Sequence, residues 1–175
     1  MTGGRGLLIL ALSAPAFAAA CAHAPNDSKP KPGWAAKGGG VFIDGERRVL
    51  HGVGFAPSRA SADEKARNDL AREIRAGIDA LTREYKSATT ADASATPDFS
   101  REYLDWLRDF SGGLAKQANI SDRWTEPATG RMYALAELDG ASVLREFERS
   151  AGIGAAMKNF APGIWVKILD QEAAR

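Results

Sequence analysis

Few side chains in this sequence could make or break bonds, and where they stand limits the chemistry. Two histidines are present, His23 and His51. His23 lies in a proline- and lysine-rich stretch and His51 in a β-prone run, so no histidine pair inside one domain can share a metal ion. A Ser-His-Asp arrangement would have to use His51 as its base, which leaves a hydrolase as one open function class. His51 alternates with Val49, Val53 and Phe55 on one strand face, however, which is the setting of a core or edge histidine. Asp63 and Glu64 open a helix, where the helix dipole accounts for acidic side chains. Nothing in the spacing points to the two facing carboxylates of a glycosidase. Gly52-Val53-Gly54 ahead of a helix matches the opening of a dinucleotide fingerprint. Pro57 stands where the third glycine belongs, and no crossover to a second parallel strand follows within about 30 residues. Two glycines on one strand face, with Leu50, imply instead strong curvature or the close approach of another backbone. No catalytic residue, cofactor or metal ligand is assigned on these grounds.

The element that must organise these residues is a long helix. Ser61 followed by Glu64 reads as a capping box, with Pro57 holding the helix from starting much earlier. Ala62, Ala66, Leu70, Ile74, Ile78, Leu81 and Tyr85 recur at steps of three or four and form one apolar stripe. Asp63, Lys65, Arg67, Arg72, Glu73, Arg75, Asp79, Arg83 and Glu84 fill the opposite face. About 25 residues at 1.5 Å each give roughly 37 Å, a length that needs a sheet to lie on.

Residues 1–20 read as an export signal with Arg5 its one charge and an apolar or small run from Gly6 to Ala20. That run is short of the roughly 20 residues a permanent membrane span requires. One reading is ordinary cleavage after Ala18-Ala19-Ala20, leaving Cys21 as the first residue. Cys21 is, however, the only cysteine, and a lone thiol is unusual in an exported protein. The junction resembles the lipobox of bacterial lipoproteins, apart from Ala18, where that motif usually carries leucine. The resemblance implies that Cys21 is diacylated on sulfur and acylated again on its new amino terminus, with chains such as palmitate. Under the aspartate retention rule of Gram-negative sorting, Ala22 at the next position implies forwarding to the outer membrane.

Without the signal the chain has one basic residue fewer than its 23, so basic and acidic side chains balance at 22 each. Zero net charge and no like-charge run beyond Arg47-Arg48 argue against a nucleic-acid binder. About 155 residues suffice for one domain with a core, and no disulfide supports it. Residues 21–40 lack a hydrophobic period and read as a flexible, lipid-anchored tether, in which Trp34 packs on the domain's edge.

Residues 41–150 read as an α+β domain. Val41-Phe42-Ile43 and Val49–Phe55 flank Asp44-Gly45, a strong hairpin signal. Ser87–Ala95 reads as an exposed connection. Thr96-Pro97 then opens a second helix with an aromatic stripe of Phe99, Tyr103, Trp106, Leu107, Phe110 and Leu114 that weakens at Gly112-Gly113. This stripe reads as core packing. The row Ile120, Asp122, Trp124 and the row Met132, Ala134, Ala136, Leu138 form a second hairpin across 126–130. The small residues of the latter row let a helix sit close, complementing Ala62 and Ala66. Asp139 or Ser142 caps a further helix through Val143, Leu144 and Phe147. Residues 151–175 read as an apolar helical tail interrupted at Pro162-Gly163. Its Met157, Phe160, Ile164, Trp165, Ile168 and Leu169 exceed what the core should take, leaving either an interaction element or a lid over the sheet's open face.

Taken in order, the lipobox, Pro32-Gly33-Trp34, Gly52-Val53-Gly54, the Ala62/Ala66-Arg67/Leu70-Ala71/Ile74 helix, Asp122-x-Trp124 and Tyr133-Ala134-Leu135-Ala136-x2-Leu138 resemble the LPP-twenty lipoprotein family. The likeness covers roughly residues 32–147. It implies a dodecin-like variant, a curved antiparallel sheet of two hairpins cradling one long helix, in an outer-membrane lipoprotein facing the periplasm or the surface. It implies no catalytic residue. Three functions follow: a non-catalytic lipoprotein presenting its domain to an envelope partner or to copies of itself, a dodecin-like small-ligand carrier using Trp124, and an envelope hydrolase using His51. Self-association through the C-terminal tail is the further partner expectation.

Overall fold

The structure, a computed structural model, describes residues 30–89 and 101–175. The expected export signal, Cys21, His23, most of the expected tether, the Ser87–Ala95 connection beyond Thr89, the expected Thr96-Pro97 cap and Phe99 lie outside the described residues. In chain order the elements are α1 (Gly33–Lys37), β1 (Gly40–Asp44), β2 (Arg47–Ala56), α2 (Arg59–Thr89), α3 (Arg101–Gln117), β3 (Asn119–Thr125), β4 (Met132–Asp139), α4 (Gly140–Arg149) and α5 (Ala155–Ala173). The fold is α+β, with one four-stranded antiparallel sheet in the order β1-β2-β4-β3.

Each hairpin forms where its turn chemistry places it. Asp44 pairs with Arg47 across a two-residue turn, and Gly45 takes a φ of 61° that a β-carbon would strain. The two hairpins join through β2 and β4, from Val49 opposite Asp139 to Ala56 opposite Met132. Leu50, Gly52, Gly54 and Ala56 thus share a face with Ala134, Ala136 and Leu138, and α2 lies on that face.

The approach of α2 is set by what these strands lack. A β-carbon built on Gly52 would collide with the Ala66 carbonyl oxygen and the Leu70 nitrogen, and one on Gly54 with the Ala66 nitrogen and the Ala62 carbonyl oxygen. Backbone therefore meets backbone, with the small Ala62 and Ala66 at the contact. All seven stripe residues from Ala62 to Tyr85 are buried. Full burial of Leu70, Ile74, Ile78 and Leu81 stabilises the fold by about 1.5 to 3 kcal/mol each.

The helix itself is longer than its sequence signal, 31 residues, or about 46 Å. Its cap is Ser58 and not Ser61: the Ser61 N–H donates to Ser58 Oγ at 3.3 Å, and the Ala62 N–H to the Ser58 carbonyl at 3.0 Å. Both serines suit a cap, and Pro57 stops the extended strand directly before Ser58, so the earlier one takes the role.

Two further boundaries shift. The leader is not tether throughout, because residues 33–37 fold as α1 and seat Ala35 on the sheet. Helix α3 continues through Gly112-Gly113 to Gln117, held by Leu107, Ser111, Leu114 and Ala115 on its buried side. Its aromatic residues pack inward as expected: Trp106 stacks on Phe110 at 5.1 Å, and both meet Phe147 of α4 edge-on. Asp139 is the cap of α4, accepting from the Ala141 N–H at 2.9 Å.

The tail is neither a lid over the open sheet face nor a spare apolar surface. Helix α5 runs unbroken from Ala155 to Ala173 with Pro162 inside it, and it lies beside α2 on the helical side of the sheet. Pro162 and Gly163 are exposed, so the carbonyl that proline deprives of a partner can turn to water. Met157, Trp165, Ile168 and Leu169 enter the main core, with Phe160 and Ile164 packed against it. The core has room because Gly77 leaves a slot on α2, its built β-carbon lying 2.8 Å from Trp165 Cη2. Trp165 Nε1 donates to the Gly140 carbonyl at 2.8 Å, and Arg48 of β2 binds Asp170 of α5 through two hydrogen bonds.

Candidate functional site

Among the described residues, helices α2, α4 and α5 lie on one face of the sheet with α3 packed against α2, while the short α1 alone is laid on the other. This second face carries Phe42 of β1, Val49, His51, Val53 and Phe55 of β2, Tyr133, Leu135 and Glu137 of β4, and Asp122 and Trp124 of β3. The alternating row of β3 is broken on the way. A bulge between Ile120 and Asp122 leaves Ser121 without a strand partner. Ile120 therefore points to the helical core while Asp122 and Trp124 turn to the opposite face.

At the end of the sheet where β2 finishes and β4 begins, aromatic rings run across the strands. Trp124 lies 5.2 Å from Tyr133, and Tyr133 lies 5.5 Å from Phe55. Trp124 and Tyr133 are buried beneath Ala35, with Trp34 packed alongside. Trp34 Nε1 donates to Asp122 Oδ2 at 2.9 Å, so the leader's tryptophan does pack on the domain's edge, latched to the outermost strand. Phe55 differs from its neighbours in remaining 48% exposed. Three cations from separate parts of the chain approach these rings: Lys65 Nζ at 5.8 Å and Arg131 Cζ at 5.2 Å from the Phe55 centroid, and Lys31 Nζ at 5.3 Å from that of the buried Tyr133.

Beside Phe55 a shallow cavity of about 290 Å³ opens between β2 and α2, lined by Val53, Gly54, Phe55, Lys65, Asn68, Asp69 and Arg72. It exists because β1 stops at Gly40, opposite His51, so the rest of β2 has no neighbour on that side. Side chains of α2 close the bare edge. Asp69 accepts from the Val53 N–H at 2.8 Å, and Lys65 donates to the Phe55 carbonyl at 3.3 Å. Asp69 also pairs with Arg72. These groups are thereby engaged in protecting an edge strand.

His51 sits further along the same face, stacked on Phe42 at 4.3 Å with Nε2 3.1 Å from Glu137. Among the described residues its buried Nδ1 has no partner, so none of their hydroxyls is positioned for it to activate. Burial holds its proton affinity below the ordinary histidine value, with Glu137 opposing. Asp63 and Glu64, expected merely to complement the helix start, differ in role. Asp63 takes two hydrogen bonds of 2.8 Å from Arg123 of β3, which lower its pKa and tie α2 to the edge strand. The sequence held no signal for this pair, since the bulge at Ser121 decides which way Arg123 points.

Among the described residues there is no cluster of three or more histidine, cysteine or acidic side chains suited to a metal ion. No described helix is long and apolar enough to cross a membrane. Compared with protein families, curated proteins and solved structures, the chain matches none. What the geometry defines is an α+β domain with one sheet face sealed by helices and the other presenting an aromatic and cationic surface.

Proposed function

We propose that this chain is a non-catalytic outer-membrane lipoprotein, held by lipid on Cys21 and presenting its α+β domain to an envelope partner or to other copies of itself. The observation that carries this reading is the seat of the leader. The segment that follows Cys21 ends in α1, whose Ala35 and Trp34 are fastened to Trp124, Tyr133 and Asp122. This seat supports a reading in which an anchor at Cys21 holds the domain by one defined face. The sole cysteine after Ala18-Ala19-Ala20 and the resemblance to the LPP-twenty family support the same reading.

We assign the interaction to the sheet face rather than to the tail, a reading supported by the use of the tail's apolar side chains in the core. The carrier alternative needs a ring free to stack on a ligand, and Trp124 is buried against Tyr133. The hydrolase alternative needs a nucleophile on His51, whose two ring nitrogens are taken up by Glu137 and by burial. Replacing Cys21 by Ser and fractionating the cells tests the proposal. The variant is expected as an uncleaved or soluble periplasmic form; a variant that still partitions into detergent-extracted membranes at the wild-type mass overturns it.

A further inference from the structure

We infer that the patch around Phe55 is a membrane-docking surface, which sets the anchored domain down on an anionic lipid bilayer with its outer sheet face toward the headgroups. The inference rests on the lipoprotein reading for its geometry and adds to it an orientation and a lipid chemistry. Its first support is chain length. Ten residue steps separate Cys21 from Lys31, and at about 3.4 Å per step they span no more than roughly 35 Å. Lys31 itself stands over Tyr133, so the anchor enters the domain at this patch and holds it near the bilayer.

Its second support is the chemistry of the patch. Phe55 is a large apolar ring left 48% exposed, and Lys31, Lys65 and Arg131 surround it and its neighbour Tyr133. A ring that can enter the headgroup layer, ringed by side chains that pair with lipid phosphates, is what an interfacial site requires. The carboxylates of the adjoining elements are engaged within the fold. Asp63 is bound to Arg123, Asp69 to Arg72 and the Val53 N–H, Asp122 to Trp34, and Glu126 accepts from Thr129 Oγ1. Lys31, Lys65 and Arg131 are themselves exposed, so their charge is open to the solvent at this patch although the mature chain as a whole is neutral.

The test uses the full-length mature chain carrying Cys21→Ser, which has no lipid and no remaining cysteine, so any affinity belongs to the folded surface. Vesicles of phosphatidylcholine with about 30 mol% phosphatidylglycerol are the probe. Binding is expected to these vesicles, to fall as salt rises, and to be lost on pure phosphatidylcholine. Each basic residue near such a surface is worth about fivefold in affinity, so joint replacement of Lys31, Lys65 and Arg131 by Gln should weaken binding by roughly a hundredfold. A second measurement does not depend on those replacements. A nitroxide on Phe55→Cys should become shielded from an aqueous relaxation agent when vesicles are added, while one on Val166→Cys of α5 stays accessible. Equal accessibility of the two labels with vesicles, or no vesicle binding at all, overturns the inference while leaving lipidation of Cys21 intact. Shielding of the Phe55 label without vesicles shows a second copy on the patch and overturns it too. Vesicle binding by a chain whose Cys21 proves unlipidated keeps the surface and removes the anchor.

Discussion

Gly52→Ala is the perturbation that asks most of this fold. The added methyl has to occupy space held by the Ala66 carbonyl and the Leu70 backbone, so no side-chain rotation can make room. Either α2 lifts from β2 or the strand bends away. Overpacking of a well-filled core costs about 1 to 3 kcal/mol where side chains can yield, and here the neighbours are main chain, so a loss of about 3 kcal/mol or more is expected. That is a large share of the 5 to 15 kcal/mol typical of a domain. The control is Gly113→Ala on α3, where nothing lies within 4 Å of the built β-carbon and alanine's better helix propensity should add about 0.5 to 1 kcal/mol. Urea unfolding of the mature Cys21→Ser chain, followed by circular dichroism, gives both values. If Gly52→Ala unfolds within 0.5 kcal/mol of its parent, roughly the spread of neutral surface changes, backbone contact between α2 and β2 is not what holds the sheet to its helix.

Two further predictions follow from the same packing. Trp165→Ala empties the slot made by Gly77 and strands the Gly140 carbonyl, and should cost about 3 to 5 kcal/mol in urea unfolding; a loss under 1 kcal/mol would mean that α5 is an appendage. His51 is held neutral in the fold by burial, so the unfolded chain binds its proton more readily. Stability from this residue is complete above the unfolded value of about 6.5 and is lost as pH falls below it. His51→Gln should therefore flatten the decline in stability between pH 6.5 and 5, and an unchanged decline contradicts the burial argument.

The parts legible in the sequence are those that repeat. The α2 stripe, the alternating faces of β2 and β4, and the small row Met132, Ala134, Ala136 and Leu138 that lets Ala62 and Ala66 come close all follow from periods of 3.6 and 2, because burial on one face selects residue type at every step. What was not legible depends on single positions or on distant partners. Ser58 and Ser61 are equally good caps by type. One extra residue at Ser121 turns Arg123 toward Asp63, and Pro162 does not break α5 because it faces water. The Phe55 patch is the extreme case: Lys31, Lys65 and Arg131 come from the leader, α2 and the β3-β4 hairpin, and no local pattern announces their meeting. The tail shows the same limit in reverse, since six apolar residues looked excessive until Gly77 is seen to admit the largest of them.

The central claim is that lipid at Cys21 fastens this domain to the envelope. Intact-mass measurement of the wild-type protein, extracted from membranes in detergent, tests it most directly. The account predicts a chain that begins at Cys21 and carries the added mass of a diacylglyceryl group and one further acyl chain. A chain that begins at Cys21 or elsewhere with no added mass contradicts it.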